Sequence, residues 1–248
     1  MPRLARKKSE TGIYHIMLRG IDKRDIFMSK WDYGKFLEYI KKAKDKSAFQ
    51  VFGYCLMTNH VHMLLKTEMD DIGDIIKRIA VGYAQYHNIR NGRTGHLFQN
   101  RFRSEVVDTE AYFLTVLRYI HQNPVKAGIT KDVKDYKWSS YIEYIDNSKN
   151  LLVDAAFALG FFSDIKAFEK YMGEKNDDQC LEYDPKKRYT DEDLKKEIAA
   201  YKNIKNLYEL DIRQRDEILK KIKYNTGASN RQLARVLNIG RGILERIK

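Results

Sequence analysis

Cysteine and long hydrophobic runs are scarce in this sequence, and each shortage excludes a class of protein. Cys55 and Cys180 are the only cysteines among 248 residues, which argues against a disulfide framework and fits a reducing cytoplasm. No apolar run reaches the ~18 residues of a membrane-spanning helix. The first residues, MPRLARKKSETG, are basic but lack the apolar stretch of a signal peptide. We therefore expect a cytoplasmic protein without a membrane partner.

An excess of basic over acidic residues gives the chain a strong positive charge. It has 46 Lys and Arg against 34 Asp and Glu, a formal net charge of +12. Such an excess usually indicates a polyanionic partner, most often nucleic acid, with an anionic membrane surface as the rival. The hydrophobic share of 43% is large enough for a substantial core.

The apolar pattern predicts an α+β fold. The order is strand, helix, strand, strand, helix, strand and then a further helix. Strands are predicted at 13–18, 49–57, 60–66 and 102–108, and helices at 30–47, from Asp70 or Asp71 through Tyr83, and at 109–122. The last helix should end near Pro124, because the residue before a proline avoids helical ψ. The first six elements match a ferredoxin-like core, an antiparallel sheet with helices on one face.

Composition divides the chain into four parts. A basic flexible tail is predicted over 1–12 and the α+β domain over 13–145. A helical extension and polar linker follow over 146–190. YKWSSY (136–141), near the end of the α+β domain, is predicted to pack against the body. Residues 191–248 are predicted to form a helical C-terminal module.

Two of the six histidines stand one residue apart in the predicted third strand, in NHVHMLL (59–65). Alternate side chains of a strand share a face, so His60 and His62 should project together. Two parallel imidazoles suit a divalent metal, and their apolar surroundings favour partners for them. The alternative is a pair of polar residues on an exposed sheet face.

A reactive group is expected in LRYIHQNPVKAG (117–128). Tyr119 and Asn123 are four residues apart and share one helical face, whereas His121 points away. Tyr119 lies at the edge of the apolar stripe, where a phenol could reach over the sheet. An ordinary core-edge tyrosine fits the same pattern, and Tyr112 on the same face is not excluded.

Three motifs in this order, CLMTNHVHMLLK, RTGHLFQNRFRS and RYIHQNPVKAG, resemble those of the single-tyrosine HUH transposases, above all the REP-associated tyrosine transposase branch. The resemblance covers about residues 11–145. It implies that His60 and His62 are metal ligands and that Tyr119, ahead of Tyr112, is the nucleophile. Asn123 stands where insertion-sequence relatives have a glutamine that completes the metal site, and its shorter amide could still offer an oxygen.

The implied activity is cleavage and rejoining of single-stranded or hairpin DNA through a 5′-phosphotyrosine. The implied cofactor is Mg²⁺ or Mn²⁺, although imidazole also suits Zn²⁺. Two alternatives remain: a non-catalytic DNA-binding protein of the same fold, and a metal-dependent phosphoesterase in which water attacks. The protein is expected at the nucleoid, as a monomer or homodimer.

A basic stretch that overlaps the second motif is the predicted single-strand DNA-binding surface. IRNGRTGHLFQNRFR (89–103) contains no acidic residue, and its phenylalanines alternate with cations as in single-strand binders. The candidates there are Arg90, Arg93, Phe98, Arg101 and Arg103. Arg19 stands where the family has an RG motif and could line the same groove. A solvated loop with buried phenylalanines is the alternative.

A helix-turn-helix is predicted near the C-terminus. TGASNRQLARVLNIGRGILERI (226–247) places Ala234 at a tight helix contact, Asn238 at the turn and Ile239 in the core. Its second helix would present Arg241 and Arg246 to DNA. A small packing module that binds nothing is the alternative.

Overall fold

A computed structural model describes residues 7–68, 70–146, 152–178, 180–181, 190–201, 207, 210–226 and 228–247 of the chain. The chain divides into two compact units, Met1–Tyr183 and Asp184–Lys248. Each unit has a hydrophobic core of its own. Residues 1–6 of the predicted tail and 182–189 of the predicted linker lie outside the described residues.

The first unit is built around a four-stranded antiparallel sheet in the order β2-β3-β1-β4. The strands are β1 (Ile13–Arg19), β2 (Phe49–Met57), β3 (His60–Thr67) and β4 (Arg103–Val106). Thr58 and Asn59 form the predicted two-residue turn between β2 and β3. The α+β class and the antiparallel sheet are thus confirmed, and β3 with its two histidines is a central strand.

Helices cover both faces of this sheet. Leu18 of β1 lines a cavity together with Ile76 and Ala80, which belong to α2 (Ile72–Arg90), and α1 (Lys30–Lys44) packs beside α2. These two helices lie on one face, as a ferredoxin-like core requires. The opposite face meets α3 (Glu110–Lys126), since a Cβ added to Gly53 would lie 2.8 Å from Leu117 Cδ1.

The predicted end of α3 near Pro124 was wrong. The helix continues to Lys126 with Pro124 inside it, and the Ala127 N–H still donates to the Asn123 carbonyl at 3.0 Å. Proline has no N–H, so Pro124 removes one hydrogen bond from α3. Its ring is buried, and this packing offsets the loss. Because the helix continues, Asn123 keeps its place one turn after Tyr119.

Two segments predicted as loose are instead attached to the first unit. Ser9 Oγ donates to Asp108 Oδ1 at 2.7 Å and Thr11 Oγ1 donates to the Val107 carbonyl at 2.7 Å, so this part of the tail is held beside β4. In the predicted linker, Asp178 accepts two hydrogen bonds from the Arg118 guanidinium of α3, at 2.8 and 3.2 Å.

Between α3 and Asp178, the described residues include three short α-helices. They are α4 (Tyr141–Ile145), α5 (Ala155–Leu159) and α6 (Ile165–Gly173). YKWSSY packs on the body as predicted. The Leu56 N–H donates to the Trp138 carbonyl and the Ser140 N–H donates to the Tyr54 carbonyl, both at 2.9 Å. These bonds cover the outer edge of β2.

The second unit contains four helices in its described part. They are α7 (Asp191–Ala199), α8 (Ile212–Thr226), α9 (Asn230–Leu237) and α10 (Arg241–Arg246). Ser229 caps α9 through the Gln232 N–H, and Asn238 ends it in a left-handed conformation at φ 53°, which asparagine tolerates better than most residues. Ile239 is buried, as predicted, and so are Leu244 and Ile247.

Candidate metal and nucleophile site

The candidate site lies where β3 begins, on the sheet face that α3 covers. His60 and His62 point to this face together, with their ring centroids 5.1 Å apart. In the sheet register, Arg19 is the β1 partner of His60 and Met17 is the partner of His62. The prediction that His60 and His62 share one face of the sheet is therefore confirmed.

His62 is held by a further histidine, His15 of β1. Its Nδ1 lies 3.0 Å from Nε2 of His15, and both rings are buried. Burial lowers the pKa of His62, and nearby His15 and His60 lower it further. Burial also lowers the pKa of His15, against a smaller opposing effect of Glu105. Both imidazoles are therefore neutral near pH 7.

The charge of Glu105 determines which ring nitrogens of His15 and His62 carry a proton. Its Oε2 lies 3.8 Å from His15 Nδ1, a distance long for a hydrogen bond but short enough for its charge to favour a proton on that nitrogen. His15 Nε2 then accepts, and His62 donates from Nδ1. This arrangement leaves the Nε2 lone pair of His62 for a metal, with His15 and Glu105 as its outer support.

His60 lies between two amide oxygens. Its Nδ1 is 2.7 Å from Asn59 Oδ1, and its Nε2 is 3.2 Å from Asn123 Oδ1. The Asn59 amide is oriented because its Nδ2 donates to the Lys23 carbonyl at 3.1 Å. A neutral imidazole has one N–H and can donate to only one of the two oxygens. A cation, either a second proton or a metal ion, therefore suits the gap between His60 Nε2 and Asn123 Oδ1.

These donors fit a divalent cation held by two imidazoles and one amide oxygen. Within the described residues, no group of three or more His, Cys, Asp or Glu side chains has the geometry to hold a metal. A third donor would have to be of another residue type, and Asn123 Oδ1 lies 3.2 Å from His60 Nε2. Such a set is open, because three protein ligands leave positions for other oxygens.

Tyr119 packs directly against the histidines. Its ring centroid is 5.6 Å from that of His62 and 6.0 Å from that of His15, and the Lys126 ammonium lies 5.0 Å from the Tyr119 centroid. The side chain is only 2% exposed. Tyr119 and Asn123 thus meet the two histidines from one face of α3.

Tyr112 and His121 lie in other surroundings. The Tyr112 hydroxyl hydrogen-bonds Glu105, and burial together with this carboxylate raises the pKa of Tyr112. His121 is buried with its Nε2 2.9 Å from Ser140 Oγ, which confirms that it points away from Tyr119. Burial lowers the pKa of His121 to about 3.

The predicted DNA-binding residues of the first unit separate into three groups. Arg19 and Arg103 are on the histidine face, because Arg19 pairs with His60 while Arg103 pairs with Met17. Arg93 and Arg101 belong to the loop that links α2 to β4, and Phe98 forms a β-bridge with Gly20. Arg90 instead lies with its Nε 3.6 Å from Oδ1 of buried Asp32, which gives it a structural partner.

The predicted DNA-binding residues of the second unit make local bonds on α10. Arg241 Nε lies 2.7 Å from Glu245 Oε1, and Arg246 Nε donates to the Gly242 carbonyl at 3.3 Å. Both remain predictions as DNA contacts.

Sequence reasoning did not assign a role to His15, Glu105 or Asn59. Asn59 directly precedes His60, so its position could have been noticed. His15 alternates with Met17 and Arg19 on a predicted strand, but only the register of β1 against β3 brings it to His62.

Comparison with known families agrees with this geometry. Residues 8–123 match the family described as IS200-like transposases. This segment is similar to that family, and it makes up a little less than half of the chain. The resemblance that the three motifs carry is thereby confirmed.

Two individual proteins similar to this chain carry related names. A Haemophilus influenzae protein assigned to the REP-associated tyrosine transposases is 25% identical over 154 residues, which covers 57% of this chain and 86% of that protein. A solved structure of a REP-associated tyrosine transposase bound to a REP hairpin matches with a TM-score of 0.54 and 18% identity. The match covers 73% of this chain and 95% of that one, and at this identity it supports the fold.

Among the described residues, no helix is long and apolar enough to cross a membrane.

Proposed function

We propose that the chain is a single-strand DNA transposase in which Tyr119 cleaves and rejoins hairpin-bearing DNA at the nucleoid in the cytoplasm. One observation carries the proposal. The Tyr119 ring contacts His62 while Asn123, one turn later, brings its Oδ1 to 3.2 Å from His60 Nε2. A phenol beside three metal-type donors is suited to attack a phosphodiester.

The reaction forms one bond and breaks one. The Tyr119 oxygen attacks phosphorus and loses its proton to solvent, the P–O3′ bond breaks, and the departing 3′ oxygen takes up a proton. The product is a 5′-phosphotyrosine that keeps the phosphoester energy, so a second 3′-OH can attack it and rejoin the strand without a nucleotide cofactor.

His60, His62 and Asn123 would hold Mg²⁺ or Mn²⁺. Such an ion, when bound, polarises the scissile phosphate and offsets its charge. His15 fixes the His62 ring through the 3.0 Å bond, and Asn59 fixes the His60 ring through the 2.7 Å bond. The Lys126 ammonium lies over the Tyr119 ring, 5.0 Å from its centroid, so a positive charge stands beside the proposed nucleophile.

Burial of Tyr119 sets a condition on this mechanism. At 2% exposure the side chain cannot meet a DNA phosphate as it stands. The side chain or the residues over it must move when DNA binds.

A trapping experiment tests the proposal as a whole. The full chain is incubated with Mn²⁺ and a library of labelled single-stranded hairpins, and adducts are separated on a denaturing gel and sequenced. A covalent adduct at a defined position supports the proposal. Cleavage without an adduct would favour water as the nucleophile, and binding without cleavage would favour a non-catalytic DNA-binding protein.

Replacing Arg93, Arg101 and Arg103 together by alanine is expected to weaken single-strand binding. The slope of log affinity against log salt should flatten by about 0.7 for each phosphate that an arginine no longer neutralises. Titration of labelled single-stranded DNA at several salt concentrations measures this slope. Arg78→Ala is the matched control, because Arg78 is an exposed cation of α2 that hydrogen-bonds Ser47. A triple variant with an unchanged slope would show that these arginines do not touch the backbone.

A chain that ends near Thr190 is expected to keep a folded, metal-binding first unit, since each unit has its own core. It should lose affinity or site preference for targets that contain duplex, while it still cleaves at high protein concentration. Circular dichroism, Mn²⁺ titration and competition between DNA sites measure these properties. An insoluble product, or undiminished discrimination between sites, would contradict the proposal that the second unit binds DNA.

A further inference from the structure

Lys126, the last residue of α3, brings a cation to the proposed nucleophile. It follows Tyr119 by about two helical turns, so the two side chains project from the same face of α3. The Lys126 ammonium lies 5.0 Å from the centroid of the Tyr119 ring. Tyr119 is 2% exposed, whereas Lys126 is an exposed residue. A phosphate that approaches Tyr119 from solvent on this side therefore meets a positive charge.

This ammonium has neutral hydrogen-bond partners. Lys126 Nζ donates to the Asp178 carbonyl oxygen at 2.9 Å and to Asn176 Oδ1 at 3.3 Å. The carboxylates of Asp178 and Glu174 lie instead against the Arg118 guanidinium, at 2.8 and 3.7 Å. Among the described residues, therefore, no ion pair neutralises the charge of Lys126.

A phosphate is a stronger partner for this ammonium than a carbonyl or an amide. Its oxygens are charged, so a hydrogen bond from Lys126 gains Coulomb energy that a neutral acceptor does not offer. A lysine also has three N–H donors on a flexible four-carbon stem. Lys126 can therefore turn from its present acceptors to a phosphate without a movement of the α3 backbone.

Lys126 and the histidines approach Tyr119 from different elements of the fold. His60 and His62 belong to β3, while Lys126 stands at the end of α3. Fixed cations stabilise the charge on the oxygens of a phosphate that is under attack. We propose that Lys126 binds the phosphate that Tyr119 attacks and stabilises the charge on its non-bridging oxygens while the new P–O bond forms. This inference rests on the proposed function, since it needs Tyr119 as the nucleophile.

A purely structural role for Lys126 makes a different prediction. The same ammonium fastens residues 176–178 to α3, so its loss could disturb the site without any contact to DNA. Such a disturbance would not depend on the charge of the scissile phosphate. In a methylphosphonate a methyl group replaces one charged oxygen, so this analogue distinguishes the two roles.

The test uses the full chain, Mn²⁺ and the hairpin whose cleavage position the trapping experiment defines. Adduct formation is followed with Lys126→Gln, Lys126→Arg and Lys175→Gln. The last is the matched control, because it removes the same charge from an exposed lysine of the segment that Lys126 fastens. Anisotropy then compares the natural hairpin with one that has a methylphosphonate at the cleavage position. The two proteins for this comparison are Tyr119→Phe and Tyr119→Phe with Lys126→Gln, which bind without forming adducts.

Lys126→Gln should slow adduct formation about tenfold, Lys126→Arg should restore part of the rate, and Lys175→Gln should match the natural chain. The methylphosphonate should weaken binding by Tyr119→Phe about fivefold and binding by the double variant much less. An unchanged rate in Lys126→Gln, or an equal methylphosphonate effect with and without Lys126, would overturn the inference. If the natural chain forms no adduct, the proposed function fails, and this inference fails with it.

Discussion

Tyr119→Phe is expected to abolish covalent adduct formation while the protein still binds metal and hairpin DNA. The change removes one oxygen and little volume from a buried side chain, so the free energy of unfolding should fall by only about 1 kcal/mol. The product bond cannot form without that oxygen. The measurement is a denaturing gel with Mn²⁺ and a labelled hairpin, together with anisotropy for DNA affinity.

Tyr112→Phe is the matched control for this prediction. Tyr112 is two turns earlier on α3, but its hydroxyl bonds Glu105 and the pKa of Tyr112 is raised by burial and by that carboxylate. The variant should therefore form adducts, at most with a reduced rate. If Tyr112 were essential and Tyr119 dispensable, the nucleophile assignment would be wrong. Cleavage by both variants would point to water as the nucleophile and to a phosphoesterase.

The sheet could be predicted closely because its strands carry strong local signals. β2 was predicted with its observed bounds, since FQVFGYCLM is apolar and bordered by a turn, and β3 ends one residue later than predicted. The same-face placement of His60 and His62 needs only the alternation of a strand. The placement of Tyr119 and Asn123 on one face of a helix could be predicted from their four-residue spacing alone.

Other features depend on contacts between distant residues and have no local signal. His15 meets His62 across 47 residues of chain, and its relation to Glu105 requires the register of β1 against β4. Arg90 was grouped with the DNA-binding arginines because it is cationic, whereas its neighbour Asp32 belongs to α1. The error at Pro124 arose because a local preference against helix was outweighed by packing.

The attachment of residues 174–178 to α3 was missed for a similar reason. Their polar composition is typical of a linker, yet Gln122 Nε2 donates to the Glu174 carbonyl at 2.8 Å and Asn176 Nδ2 donates to Gln122 Oε1 at 2.8 Å. These hydrogen bonds join polar groups of the segment to a polar side chain of α3. A segment held by polar side chains cannot be distinguished from a solvated one by hydropathy.

His60→Ala and His62→Ala are each expected to weaken Mn²⁺ binding by more than ~100-fold, because loss of an outer support alone costs about 10–100-fold. Cleavage should fall below detection in both variants. DNA affinity measured in chelator should change little, since the arginines and the loop supply those contacts. Electron paramagnetic resonance of free Mn²⁺ measures metal affinity independently of activity, and adduct formation is followed on the same samples.

His121→Asn is the control for replacing a buried, neutral histidine of the first unit. His121 bonds Ser140 away from the site, so this variant should melt at a lower temperature but retain Mn²⁺ binding and adduct formation. His15→Ala should weaken Mn²⁺ binding less than His60→Ala or His62→Ala but more than His121→Asn. It leaves both imidazole donors in place but frees the His62 ring to rotate. Full cleavage by either alanine variant of His60 and His62, or by the natural chain in excess chelator, would show that these histidines do not hold a catalytic metal.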